Sequence, residues 1–155
     1  MVKKLIYLAG PLFTSPERIH NILLDSAMTR LGYVTILPQR DCNKFYKDGK
    51  LNLIETCKNC LKSVEKSDTV VANIDGADAD SGTCVEIGAA LAWNKPVICV
   101  RTDFRTDMTG EQGINGMLKL SKQVIYKPAL YTTTEEAGIF FAELCSAIDF
   151  AINQL

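Results

Sequence analysis

Five short apolar runs, at residues 5–9, 33–37, 69–72, 97–100 and 124–126, alternate with stretches patterned as helices along the chain of 155 residues. This alternation constrains the fold more than any other feature. Strands separated by a helix cannot pair as tight hairpins; they pair in parallel, through crossovers that lay helices on the sheet. The third run, Thr69-Val70-Val71-Ala72, is continuously apolar and rich in β-branched side chains, as a strand buried on both faces requires. With right-handed crossovers, the expectation is an α/β fold: a single doubly wound (flavodoxin-like) parallel sheet of five strands in the order 2-1-3-4-5, with helices on both faces. One domain is expected over residues 1–155. In that order the first and third strands are neighbours at the switch point, so the loops carrying Gly10 to Phe13 and Asp75 to Gly82 face each other.

Between the strands the helical signals are specific. Ser15 followed by Pro16-Glu17-Arg18 reads as an N-cap with proline at N1, and Ile19, Leu23, Leu24, Ala27, Met28 and Leu31 give the buried face before Gly32 at C′. His20 is read as a surface residue of this helix. Residues 39–50 are polar and irregular, with Gln39 directly at a strand end and a turn at Asp48-Gly49, and are read as the longest loop on the ligand side. Leu53, Ile54, Cys57, Leu61 and Val64 give the next helix face, and Thr132-Thr133-Thr134-Glu135-Glu136 opens a last helix with Ile139, Phe140, Leu144, Ile148 and Ile152 facing inward.

The chemistry concentrates in residues 67–88. Beyond Asn73 lies a loop with Asp75, Asp78, Asp80, Gly76 and Gly82, too acidic and glycine-rich to be core. The helical pattern takes over from Thr83, with Ser81 or Thr83 available as N-cap and Glu86 assigned to the first turn. Unpaired N–H groups and the positive end of the helix dipole would there favour ionised Glu86. The alternative is an ordinary first-turn glutamate beside a solvated acidic loop. Further on, Arg101, Asp103, Arg105 and Asp107 read mostly as a solvated charged loop.

Whole-chain properties exclude several classes. A formal charge of −1 gives no electrostatic case for nucleic acid or an anionic membrane as partner. The N-terminal apolar run is too short for a signal peptide and no stretch reaches the roughly 20 apolar residues of a membrane span, so a cytoplasmic protein is expected. Six cysteines in a chain of this kind are read as reduced. Cys57-Lys58-Asn59-Cys60 has CxxC spacing, but there is no second such pair, the one histidine lies in another helix, and the pair sits inside a helix; helix cysteines are preferred over a redox or metal site.

No Walker A sequence, no GxGxxG after a strand, no GxSxG and no HExxH is present, so neither a cofactor nor a metal is called for. What remains is carboxylate chemistry: a glutamate flanked by aspartates and a strand tyrosine, Tyr7, is equipment for attack on an anomeric carbon through an oxocarbenium-like transition state.

Ile6-Tyr7-Leu8-Ala9-Gly10-Pro11-Leu12-Phe13, then Leu37-Pro38-Gln39, then Asp75-Gly76 with Asp80-Ser81-Gly82-Thr83-Cys84-Val85-Glu86-Ile87-Gly88, and more weakly Ile114-Asn115-Gly116-Met117-Leu118, closely resemble the nucleoside 2-deoxyribosyltransferase family. The resemblance implies a nucleophilic Glu86 that forms a covalent deoxyribosyl intermediate resolved by a second nucleobase or by water. It implies that Tyr7 orients Glu86, that Asp80 holds the sugar 5′-hydroxyl with Asn115 of a neighbouring subunit, and that Gln39 and Phe13 line the base pocket. Gly10, Asp75, Asp78, Ser81 and Gly82 fall with the substrate-binding loops. Partners would be deoxynucleosides and free nucleobases, in a homodimer or higher homo-oligomer. Where some relatives carry an acid to protonate the leaving base, this chain offers Asn59 or Cys60, with Asp75 or Asp78 as alternatives. Two other readings stay open: a nucleoside or nucleoside 5′-monophosphate N-glycosidase, and a noncatalytic nucleotide-sensing domain.

Overall fold

Side chains on a strand alternate between faces, and here the alternation sorts the core into two layers. Strand β1 (Leu5–Ala9) sends Ile6 and Leu8 to one face and Tyr7 and Ala9 to the other. The computed structural model describes residues 4–47, 49–105 and 113–155. Beyond β1 the elements are α1 (Ser15–Arg30), β2 (Val34–Ile36), α2 (Pro38–Asp41), β3 (Tyr46–Lys47), β4 (Lys50–Leu51), α3 (Leu53–Lys66), β5 (Thr69–Asn73), α4 (Ser81–Ala92), β6 (Val97–Arg101), β7 (Gln123–Tyr126) and α5 (Thr134–Asn153). The main sheet has the order β2-β1-β5-β6-β7, every pair parallel, which is the expected 2-1-3-4-5 counted along its own five strands.

Helices α1 and α5 cover the face of Ile6, Leu8, Val71, Ile98 and Val100, contributing Leu24, Met28, Phe141, Leu144 and Ile148. On the opposite face Tyr7, Val70, Ala72, Val97 and Cys99 pack with Val64 of α3 and Ile87 and Ala90 of α4. All five residues of β5 are buried, as its unbroken apolar run demands. Among the described residues, no helix is long and apolar enough to cross a membrane.

The structure corrects several local expectations. The N-cap of α1 is Thr14, not Ser15: Glu17 reaches back to the Phe13 and Thr14 amides at 2.8 and 2.7 Å, and this reciprocal capping box decides between adjacent hydroxyl residues. Gly32 does follow the helix with φ of 93°. Helix α4 is capped by Asp80 rather than Ser81 or Thr83. Residues 39–50 are not a plain loop but hold α2, a 3₁₀ turn (Asn43–Phe45) and the β3–β4 hairpin; none is long enough to show periodicity. Ile19, Leu31, Leu53, Ile54 and Ile139, expected to face inward, are exposed. His20 is not a free surface residue: its ring packs edge-on against Phe141, with centroids 5.1 Å apart. Arg101, expected in a solvated loop, ends β6 and is buried, donating to the carbonyls of Ile74 and Gly76 at 2.9 and 3.1 Å. Asp107 lies outside the described residues.

Candidate active site

Strands β1 and β5 run side by side to Ala9 and Ala72, and the chain leaves both at the same edge of the sheet. After β1 it passes through Gly10, where a Cβ would come within 3.2 Å of both Asn21 Oδ1 and the Asn73 Cβ; hydrogen is what lets the loop lie this close to α1 and β5. After β5 it continues to Asp80, whose Oδ2 accepts from the Thr83 amide at 2.9 Å and the Thr83 hydroxyl at 3.2 Å.

That cap sets the helical phase. With Ser81 as the first residue of α4, Glu86 is the sixth, in the second turn rather than the first. Its side chain meets Tyr7, fully buried in the middle of β1, whose hydroxyl donates to Glu86 Oε1 at 2.6 Å. Beyond the first turn the backbone N–H groups are already bonded within the helix, so the expected stabilisation of the anion by the helix start does not operate. Burial instead raises the Glu86 carboxyl to about 7; the Tyr7 hydrogen bond pulls it down and the Asp80 charge pushes it up. Burial first, and the Glu86 charge second, hold the Tyr7 phenol far above its ordinary value, so it stays a proton donor.

A cavity of about 450 Å³ opens over Glu86. Glu86, Asp80, Gly10, Phe13, Gln39 and Gly82 all contribute to its walls, so most of the sequence-predicted residues come together, with Tyr7 beneath them as the partner of Glu86. Four do not reach these walls. Both Asp75 oxygens are taken by Thr102 and Asp103, the Asp103 amide at 2.8 Å. Asp78 is exposed and accepts from the neighbouring Ala79 amide, Ser81 is an exposed first helical residue, and exposed Asn115 caps a 3₁₀ turn (Gly116–Leu120) by accepting from the Met117 amide at 3.0 Å.

Residues 39–50 lie on the ligand side as expected from the sequence, but the wall extends over residues 42–60 and of its side chains beyond Gln39 the sequence singled out only Cys60. Cys42, Tyr46, Leu51, Thr56 and Cys60 all face the cavity. The CxxC spacing is not what brings Cys60 here: its close contact is with Cys42, with sulfurs 3.9 Å apart, while Cys57 is exposed. Burial pushes the Cys60 thiol up to about 12. Among the described residues no three His, Cys, Asp or Glu side chains gather as metal ligands.

The family model for nucleoside 2-deoxyribosyltransferase matches residues 6–117, which span every wall of this cavity. The chain belongs to the nucleoside 2-deoxyribosyltransferase family. No curated protein matches the chain with significance. Among solved structures it is similar to a conserved protein from Enterococcus faecalis V583 (24% identity, TM-score 0.67, covering 92% of this chain and 99% of that one). It is similar also to the 2-deoxyribosyltransferase of Bacillus psychrosaccharolyticus (23%, TM-score 0.64, covering 86% and 90%) and to the CMP N-glycosidase BcmB of Clostridium botulinum (19%, TM-score 0.55, covering 95% and 98%). At these identities the shared property is the fold. In this family member the fold sets a carboxylate of raised pKa, bonded to a tyrosine, against a cavity able to hold a small molecule.

Proposed function

We propose that the protein transfers 2-deoxyribose between the nucleobases of 2′-deoxynucleosides by double displacement, with Glu86 as nucleophile. The observation that carries this reading is the 2.6 Å bond from Tyr7 to Glu86 Oε1 at the wall of the cavity, with no donor among the described residues on Oε2. In the first step Oε2 attacks C1′, the C1′–N bond breaks, and the departing base keeps the electron pair and takes up a proton. In the second, the acceptor base attacks C1′, the C1′–O bond breaks and returns its pair to Glu86, and the acceptor loses its N–H proton. Two inversions give retention. A 2′-hydroxyl would withdraw electrons and destabilise the oxocarbenium character, so the deoxy sugar is the easier substrate.

Asp80, with Oδ1 free of donors among the described residues, is assigned to the sugar 5′-hydroxyl, and the exposed ring of Phe13 to the face of the base. Of the candidate proton donors only Cys60 lines the cavity, and its raised pKa keeps it protonated at neutral pH. Asn115 is assigned to the site of a second copy; exposed Val85, Met117 and Leu120 give such a homo-oligomer apolar surface to bury. The free cysteines suit a reducing cytoplasm, where nucleoside salvage would take place.

Because the nucleophile must be ionised, kcat/KM rises as pH climbs through about 7. Incubation with one deoxynucleoside and a different free base, followed by chromatography, tests the reading. A new deoxynucleoside supports transfer; free base and free deoxyribose with no new nucleoside would establish hydrolysis instead. The similarity to the CMP N-glycosidase keeps hydrolysis as the second reading, with water replacing the acceptor base. The Asp80 carboxylate in the cavity wall would repel a 5′-phosphate and favours the free nucleoside.

A further inference from the structure

Gln39, on α2, lines the cavity, and its amide has no freedom to turn over. Its Oε1 accepts from Asn21 Nδ2 at 3.0 Å and its Nε2 donates to the Arg18 carbonyl at 3.0 Å. Asn21, on α1, is itself fixed: more than nine-tenths buried, it spends its other N–H on the Pro11 carbonyl at 2.9 Å. Turning the Asn21 amide over would set its oxygen against the Pro11 and Gln39 oxygens. Turning Gln39 over would set oxygen against the Arg18 carbonyl and nitrogen against Asn21 Nδ2. A carbonyl at each end therefore determines both amides.

What Gln39 has left is one N–H and one lone pair, in a fixed left-to-right order. A primary amide matches a base edge that sets an acceptor beside a donor: adenine and cytosine present a ring-nitrogen acceptor (N1 or N3) beside the amino donor, whereas hypoxanthine and uracil present the reverse order, a ring N–H donor beside a carbonyl acceptor. A freely rotating glutamine serves either order, whereas a locked one distinguishes them.

We propose that Asn21 is a specificity-determining positioning residue: by fixing the Gln39 amide in one orientation, it makes the site discriminate between nucleobases bearing an exocyclic amino group and their oxo counterparts. This rests on the reading that Gln39 meets the base of a nucleoside. Asn21 lies behind Gln39 and acts only through it.

The test is a double-mutant cycle read by calorimetric binding of free adenine, hypoxanthine, cytosine and uracil to the wild type, Asn21→Ala, Gln39→Ala and the double variant. The wild type should prefer one member of each amino/oxo pair by roughly tenfold, the scale of one well-made bidentate contact. Asn21→Ala should reduce that preference to about twofold or less, and adding it to Gln39→Ala should change the preference no further. Equal wild-type affinity for both members, binding of no base, or an Asn21→Ala loss that is uniform across bases and persists in the Gln39→Ala background would overturn the proposal. The last outcome would give Asn21 only its structural bond to Pro11. Should Asn21→Ala not fold, Asn21→Ser, which keeps one donor, takes its place in the cycle, and Gln39→Leu probes the pair from the cavity side. Transfer is assayed in parallel on the wild type. Turnover of no deoxynucleoside would sink the double-displacement reading, while the binding cycle would still decide the role of Asn21.

Discussion

Two polar clusters stand at the carboxyl edge of the same sheet, and they are built on opposite rules. Where β6 ends, Arg101, Asp75, Thr102, Asp103 and Arg105 close on one another: the buried guanidinium donates to three carbonyls, Asp75 accepts from Thr102 and Asp103, and Asp103 pairs with Arg105. Where β1 and β5 end, Glu86 has a single donor and Asp80 uses one oxygen among the described residues. The carboxyl groups register the difference. Hydrogen bonds from Arg105 hold Asp103 down at about 2, whereas burial raises Glu86 to about 7. The first cluster spends its charges on the protein. The second keeps them for something else, and an ionised group kept in that way costs stability.

The sharpest break in the comparison comes from Glu86→Gln. Transfer should fall by about 10⁴-fold, the scale of losing a covalent nucleophile. Stability should move the other way. A carboxyl whose folded pKa is raised contributes fully below its unfolded value and loses that contribution as pH rises through about 7. Glu86→Gln should therefore raise Tm at pH 8 and leave it nearly unchanged at pH 4. A fall in Tm at pH 8 would place Glu86 with the structural cluster.

Next in size is Arg101→Met, which strips the buried guanidinium from the carbonyls of Ile74 and Gly76. Urea unfolding should show a loss of about 3 kcal/mol, with turnover per folded molecule retained. Tyr7→Phe should lower kcat by roughly 10- to 100-fold, in the range of one positioned hydrogen-bonding group. Because the Tyr7 bond lowers the Glu86 pKa, its removal should also move the acid limb of the pH–rate profile above 7. An unmoved limb would separate the tyrosine from the nucleophile. Smallest of all is Asp78→Ala: the side chain is exposed and among the described residues bonds only to the amide beside it, so stability should change by no more than about 0.5 kcal/mol and transfer not at all.

The sheet was legible from the chain because five apolar runs and their helical spacers leave few topologies. Glu86, Tyr7, Asp80, Gln39 and Phe13 were legible because their motifs fall at strand ends that such a topology brings together. Helical phase was harder to read. Moving the cap from Ser81 or Thr83 back to Asp80 places Glu86 in the second turn and reverses the reason for its pKa. Asp75, Asp78 and Asp80 look alike in a row, and only the closing of Asp75 onto Thr102 and Asp103 tells a fastening from a free acid. Which side chains of residues 42–60 face the cavity, and the burial of Arg101, were hidden for the same reason: their environments are made by residues distant in sequence, through elements too short to carry a period.

The most direct measurement is intact-protein and peptide mass spectrometry after brief exposure to a 2′-deoxynucleoside without acceptor base, quenched in acid. A covalent Glu86 intermediate requires one added deoxyribosyl group, located on the peptide containing Glu86 and missing from Glu86→Gln. Steady transfer with no adduct, or an adduct on any other residue, would contradict it.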